Sequence, residues 1–528
     1  MEAATAEPHL EVTWRDPKRY LWLLGLIVPM IPFIAWALVE VTGLGIFWWF
    51  GPFLVFAVIP FFDLVIGKDS ENPPDSALKW LEGDRYYRWC TYLFLPLQFA
   101  SLIFACWWWA SGELSFLENL GLAFSVAMVA GIAINTAHEL GHKTKNGERW
   151  LSKVALAQSG YGHFFIEHNR GHHVRVATAE DPASSRLGES FWAFLPRTVS
   201  GSLTSALHLE RLRLDRVGKG FWTIHNDVLN AWAMTVVLFG GLCLAFGIEV
   251  LPWLAVQAVV GFSLLEVVNY LEHYGLRRQW DEEKGRYELC RPEHSWNSNN
   301  IASNVFLYHL QRHSDHHANP VRRYQALRHF DEVPELPSGY ATMIVLAYAT
   351  PLWRRVMDPK VVAHYGGDLS LANVQPRKRK KLAARWGTGA GAAGAAGAPS
   401  TSAAPAVTAA TGCTTATATP NSATAAAPNS ATAEREITIG DAVRPKSRSH
   451  GGEGRRGQED DGSQGASAAH RCPGCGFTYS VAAGAPREGF PAGTPWSEVP
   501  AGWNCPDCGV RVASDFEPVG AGATVGAQ

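Results

Sequence analysis

Six stretches of this chain are each long and apolar enough to cross a bilayer as a helix, which takes about 20 residues at 1.5 Å per residue. They run Tyr20–Val41, Ile46–Gly67, Cys90–Ser111, Phe116–Ala137, Asp227–Gly247 and Leu251–Glu272. Six such runs cannot all be hidden in one soluble core, so the sequence predicts an all-α polytopic membrane protein, a six-helix transmembrane bundle. Arg15, Lys18 and Arg19 precede the first stretch, and Lys68, Lys79, Arg85 and Arg88 follow the second. The turns around Gly43, Gly112 and Ile248 hold neither Lys nor Arg. The positive-inside rule then puts both termini and the basic loops in the cytoplasm, with Trp48, Trp49 and Trp107 to Trp109 in an aromatic belt at the outer interface.

Average composition hides this division. The hydrophobic share of 47% and the mean hydropathy of -0.04 blend the apolar half with an Ala, Gly, Thr, Ser and Pro-rich stretch at 387–470. A net charge of -2 argues against both a nucleic-acid binder and a polyanion.

Nineteen histidines occur, and nine fall in four short clusters on the predicted cytoplasmic side. His138 and His142 lie in HELGH, and His168, His172 and His173 in EHNRGHH. His273 ends the sixth stretch, and His313, His316 and His317 lie in HSDHH. Imidazoles at i and i+4 share a helix face, so His138/His142 and His168/His172 can each clamp one ion. His313/His316 can do the same at i and i+3, with His317 turned to a neighbouring site. Nine ligands exceed the capacity of one ion and suit two ions with four or five imidazoles each. Iron, copper, nickel and zinc all accept imidazole. Glu139, Glu167, Glu272 and Asp315, in or beside the clusters, can accept the outer ring N–H groups and fix the tautomers. HELGH also spells the zinc-protease signature with Glu139 as base, but that reading leaves the other clustered histidines without a role.

Two polar stripes lead inward from the clusters. Asn135, His138 and His142 recur at i, i+3 and i+7, as do Glu266, Asn269 and His273. A carboxylate inside the membrane, such as Glu266, is costly unless it supports a site or makes a buried hydrogen bond between helices. Both readings stay open. Phe124, Met128 and Gly131 lie towards the His138 side of the fourth stretch and are candidate walls of a substrate channel.

The basic run Arg377 to Lys381 closes the membrane half and could hold anionic headgroups or an acidic partner. Residues 387–470 carry no packable apolar pattern and read as a disordered linker, spanning on the order of 50 Å as a flexible coil. Beyond it, Cys472, Cys475, Cys505 and Cys508 form two CxxC knuckles with the spacing of a four-thiolate site for iron or zinc. The other cysteines (Cys90, Cys106, Cys243, Cys290 and Cys413) are scattered. Between Arg471 and Glu517, Arg471, Arg487 and Arg511 face a larger set of acids: Glu488, Glu498, Asp507, Asp515 and Glu517. This acidic excess complements the basic run before the linker.

The segments HELGHK (138–143), EHNRGHH (167–173), NYLEHYGL (269–276) and LQRHSDHHANP (310–320) resemble the membrane-bound alkane 1-monooxygenase family, over roughly residues 15–375. That family belongs with the histidine-rich di-iron membrane desaturases and hydroxylases. The first box has three residues between its histidines, not the four common in acyl-lipid desaturases, which favours the hydroxylase branch. Residues 471–517 look like a rubredoxin, with CxxCG, GTPW and CPxCG in place and Trp496 where Phe is usual. The resemblance implies a cytoplasmic N-tail (1–19), a di-iron alkane hydroxylase domain with a histidine-rich cytoplasmic cap (20–386), the linker (387–470) and a small β rubredoxin domain (471–528).

It also implies the chemistry. Two irons held by the nine clustered histidines, with O2 as co-substrate, hydroxylate the terminal carbon of medium-chain n-alkanes to 1-alkanols. A third iron, held by the four cysteines of the knuckles, supplies the electrons. A fatty-acyl desaturase, a xylene-type hydroxylase and an intramembrane zinc protease are the alternatives. The GxGxxG strings at 389–394 and 452–457 fall in the low-complexity stretch and open no strand–helix nucleotide fingerprint, so a separate NAD(P)H-dependent flavoprotein rubredoxin reductase is the expected partner, besides membrane lipids. The expected location is the bacterial inner membrane.

Overall fold

The computed structural model describes residues 14–387, 469–509 and 511–519. The expected linker (387–470) lies outside the described residues except at its ends, as do Cys413 and the start of the N-tail.

Among the described residues, six helices have the length and apolarity to cross a membrane: Leu21–Thr42, Gly45–Ile66, Arg85–Ser111, Phe116–Gly141, Asp227–Phe246 and Ile248–Glu272. The third begins five residues earlier than hydropathy indicates, because the polar turn Arg85–Tyr92 already coils behind an Asp84 cap that accepts from the Tyr86 N–H. The fourth continues four residues beyond Ala137, so the first histidine box is its last turn and cap.

The fourth span is the axis of the bundle. Within its most apolar window 89% of residues are buried, against 17% for the fifth span and 28% for the second. The outer spans present side chains such as Leu244, 91% exposed, and are apolar where lipid would lie. The fourth helix is started by a reciprocal cap. Ser115 Oγ accepts from the Glu118 N–H, and Glu118 Oε2 accepts from the Ser115 N–H at 2.8 Å, an arrangement worth about 1 kcal/mol. It meets the sixth span at a crossing of small residues. A Cβ on Gly131 would stand 2.9 Å from the Gly261 carbonyl oxygen, and one on Gly261 would stand 2.9 Å from Ala130 Cβ. Without a hydrophobic drive between helices in lipid, such close backbone approach is the main source of association.

The tryptophans differ from a simple belt. Trp48, Trp108 and Trp109 are buried among Leu102, Leu122 and Val126, and only Trp107 of that run is mostly exposed. Their bulk packs within the bundle.

Above the histidine-bearing end of the bundle, helices Asn146–Leu156 and Phe191–Arg216 and the irregular segments around 157–190 and 273–337 form a cap. The thiolate region is a separate small unit. Its three-stranded antiparallel sheet has Ala469–Arg471 between Thr478–Ser480 and Glu517–Pro518, over a core of Tyr479, Phe490, Trp503 and Phe516.

Candidate metal centre

Local helix geometry decides which histidines meet. The end of the fourth span carries His138 in its last turn and His142 as its cap. The Glu167–His172 segment is a π-helix, whose hydrogen bonds run from i to i+5. Residues five apart therefore share a face, and His168 Nε2 lies 3.0 Å from His173 Nε2, while His172 points elsewhere. His168 and His172 thus do not clamp one ion, contrary to the α-helical expectation. In the short α-helix His313–Ala318, it is His313 and His317 at i and i+4 that meet, Nε2 to Nε2 at 2.9 Å, and His316 that turns away. The expected His313/His316 pair is also corrected.

The outcome is two adjacent groups. His138, His142, His168, His173 and His316 bring one ring nitrogen each within 4.8 Å of one another, and His172, His273, His313 and His317 do the same. His138 Nε2 stands 2.8 Å from His316 Nε2, which stands 3.1 Å from His173 Nε2. Two donors on one ion at about 2.0–2.1 Å each, at right or tetrahedral angles, are about 2.9–3.4 Å apart. The observed separations match shared coordination. The groups abut, since the His173 and His317 rings are 4.4 Å apart, centre to centre.

All nine rings are buried. Among the described residues, His142 Nε2, His172 Nε2 and both nitrogens of His273 have no hydrogen-bond partner. Each such orphan costs about 1–3 kcal/mol unless something coordinates it. Burial, aided by the neighbouring rings, holds His142, His168, His173, His313, His316 and His317 well below the ordinary imidazole range, and His273 at about 3. These seven rings are therefore neutral, the form that ligates metals. The two groups fit two iron ions.

Around the rings, the carboxylates do other work than the sequence suggests. Glu139 pairs with buried Lys143 at 3.0 Å, Glu167 with Arg175 at 2.8 Å, and Asp315 with Arg322 at 2.7 Å. These three lock the boxes into the cap and accept from no ligand ring. Glu272 lies 3.2 Å from His313 Nε2, the nitrogen that faces His317, so it does not serve the outer ring position. Glu266 accepts from Tyr161 and Thr198, each at 2.8 Å, and from Asn269 at 3.2 Å. That cluster ties the sixth span to the cap as a buried hydrogen-bond knot. The orienting carboxylate is one that sequence reasoning missed. Asp181 Oδ2 takes the His172 Nδ1 proton position at 3.0 Å and accepts from the Ser184 hydroxyl at 2.6 Å. Against the burial, the His172 ring and Ser184 hold its carboxyl at about 2. Its only signal in the sequence is an acidic turn residue before Pro182.

A narrow cavity runs between the second, fourth and sixth spans, lined by Val55, Ile59, Gly131, Ile132, Leu264 and Phe306 among others, and apolar apart from Asn135 and Ser303. Asn135, one turn before His138, lines the cavity and donates to the Leu307 carbonyl at 2.6 Å. Of the three expected walls only Gly131 lines it. Phe124 packs on Trp49, and Met128 lies in the helix core.

The four knuckle cysteines likewise converge. Cys472 Sγ is 3.8 Å from Cys508 Sγ and Cys475 Sγ 3.5 Å from Cys505 Sγ, near the tetrahedral edge of about 3.8 Å for thiolates 2.3 Å from one metal. This unit rests on the cap through ion pairs. Glu488 meets Arg170 at 3.3 Å and Arg216 at 3.5 Å, Arg487 meets Asp227 at 3.1 Å, and Asp515 meets Arg286 at 3.1 Å. The basic run Arg377 to Lys381 takes no part in these pairs. Lys378 instead donates to the Gly188 carbonyl at 2.7 Å.

The fatty acid desaturase family profile matches residues 115–347, and the rubredoxin profile residues 469–516. The chain is 47% identical over 380 residues to an alkane 1-monooxygenase of Acinetobacter baylyi, covering 70% of this chain and 92% of that one. It is 46% identical over 373 residues to an alkane 1-monooxygenase of Ectopseudomonas oleovorans, covering 71% and 93%. Similarity to the xylene/toluene monooxygenase hydroxylase component of Pseudomonas putida is lower, at 26% over 270 residues, covering 50% and 70%.

Proposed function

The chain belongs to the alkane 1-monooxygenase family, and on that premise we propose that it hydroxylates the terminal carbon of medium-chain n-alkanes to 1-alkanols with O2, using electrons from its own C-terminal rubredoxin. The observation that carries this reading is the convergence of nine buried imidazoles into two groups with metal-ligand spacing, in a bundle whose interior holds an apolar cavity. Irons bound there supply the oxidising power that an unactivated C–H bond requires and that no side chain has.

The protein's residues do the rest. His138, His142, His168, His173 and His316 are the ligands of one iron, and His172, His273, His313 and His317 of the other. Asp181 fixes the His172 ring with its Nε2 inward. The apolar cavity is where an alkane from the lipid would enter, with Asn135 in its wall. Cys472, Cys475, Cys505 and Cys508 hold the iron that passes electrons singly. A separate NAD(P)H-dependent flavoprotein reductase reduces that iron. The distribution of Lys and Arg supports placement in the bacterial inner membrane with both termini and both metal centres cytoplasmic.

The test is iron quantification joined to product identification. About three irons per chain, a thiolate–iron absorption and 1-alkanol from a supplied alkane are the expected result. Zinc in place of iron, or alkenes in place of alkanols, would overturn it.

A further inference from the structure

The rubredoxin unit is electrically two-sided, and we infer that it is a directional relay: the Cys505–Cys508 knuckle hands electrons to the five-histidine group, and the Cys472–Cys475 knuckle is the docking face for an acidic, flavin-bearing electron-donor protein. The inference rests on the oxygenase reading above and adds the route and the partner surface.

The second knuckle is covered by the cap. Gly509, which follows Cys508, is buried with φ +68°, and its missing side chain would point at the Asn169 carbonyl and stand 3.9 Å from His173 Cβ. Asn169 adjoins His168, and both His168 and His173 belong to the five-histidine group. No residue but glycine gives this approach. The backbone of the knuckle lies against the backbone of the π-helix, and the contact reaches Asn169, next to His168, and His173, both histidines being members of the five-histidine group. The acids cluster on the same side. Glu488 and Asp515 pair with cap arginines, and Asp507 feels the charge of Arg149.

The first knuckle is open. Pro473 is exposed, and Gly474, Cys475 and Gly476 are half-buried. Two arginines flank it. The Arg511 side chain lies along Gly474, and the Arg471 guanidinium lies over Gly476, each within 3.2 Å of where a Cβ would stand. Neither forms an ion pair among the described residues, and exposed Glu517, across the strand from Arg471, is the nearby acid. A cationic rim around a knuckle whose Cys475 is half-exposed, with Cys472 buried behind it, selects an anionic partner and speeds its encounter. With the second knuckle against the cap and the first partly open, one electron from a reduced flavin can enter and one can leave without the unit turning round.

Two half-reactions of the full-length protein in membranes separate the faces. One is reduction of the thiolate iron by NADH and a purified flavoprotein rubredoxin reductase, read as bleaching of its absorption. The other is reoxidation of dithionite-reduced thiolate iron in the presence of O2 and alkane, above the background of a His316→Ala variant. Arg471→Glu with Arg511→Glu should slow the first by about tenfold and flatten its salt dependence, leaving the second within about twofold. Gly509→Val should do the reverse. Retained thiolate–iron absorption reports folding, and Arg471→Gln with Arg511→Gln, a gentler change, should slow the first step by about threefold. An unchanged reductase step in either arginine pair, or equal slowing of both steps by either variant set, overturns the relay. Wild-type protein that makes no alkanol with dithionite would instead sink the oxygenase reading, with the reductase step still readable.

Discussion

The two metal-binding regions are built by opposite strategies. The thiolate site takes its ligands from two knuckles, each a four-residue turn, on a unit whose core is a handful of aromatics. The histidine centre gathers ligands from four segments between His138 and His317, each aimed by a different helix end. The first site organises its fold, whereas the second is organised by its fold. Losing one ligand should therefore have local consequences in the cap, while losing the metal should be a folding event in the rubredoxin unit.

The sharpest way to break that contrast is His316→Ala. Since outer partners alone are worth about 10–100-fold, removal of a direct ligand should lower alkane hydroxylation by well over about 100-fold. Iron should fall from about three to about two per chain, with the thiolate absorption and the helical circular dichroism unchanged. Full iron retention would remove His316 from the five-histidine group. The complementary variant, Cys505→Ser, should abolish the thiolate absorption and cut self-sufficient turnover by at least about tenfold, because a tethered donor works at a high effective concentration. Added free rubredoxin should restore it. Failure of rescue with intact histidine-site iron would mean that the unit braces the cap as well as feeding it.

Asp181→Asn tests the middle of the scale. It keeps the shape but loses the acceptor for His172 Nδ1, and should weaken metal binding at the four-histidine group by about 10–100-fold. Competition titration and the Mössbauer signature of that iron would report it, with Asp181→Glu recovering part of the loss. Equal weakening of both groups would reduce Asp181 to a brace of the loop it shares with Ser184.

The same contrast explains what the sequence made legible. The spans were readable because apolar length is a one-dimensional property, and the knuckles because their ligands are local. That the boxed histidines would converge in the cap was also readable, since His boxes are dense, but the partition was not. A sequence of the form HxxxH implies an α-helical face, and nothing in EHNRGHH announces the π-helix that pairs His168 with His173. Asp181 was hidden because an acceptor fixed by tertiary approach has no spacing rule. The reverse error befell Glu139, Glu167 and Asp315, which look like orienting carboxylates by position but are claimed by Lys143, Arg175 and Arg322 once the cap closes. Phe124 and Met128 failed for a related reason. A helix as enclosed as the fourth span has no single inward face, so periodicity cannot say which side borders a cavity.

Gly131 brings these threads to the smallest expected effect. It lines the cavity and also sits at the crossing with Gly261, so its lack of a side chain has two explanations. The distances separate them. A Cβ there would lie 2.7 Å from Leu264 Cδ2 and 2.9 Å from the Gly261 carbonyl oxygen. The carbonyl belongs to the neighbouring backbone and cannot yield without moving the sixth span, which carries His273 at its end. Gly131→Ala should therefore cost about 1–3 kcal/mol through overpacking. The measurable form is a lower midpoint for thermal loss of the membrane domain, with the melting of the thiolate absorption unmoved and the chain-length profile of the alkanols largely preserved. A profile shifted to shorter alkanes with an unchanged midpoint would show the opposite, that this glycine is kept open for the substrate and not for the helix pair.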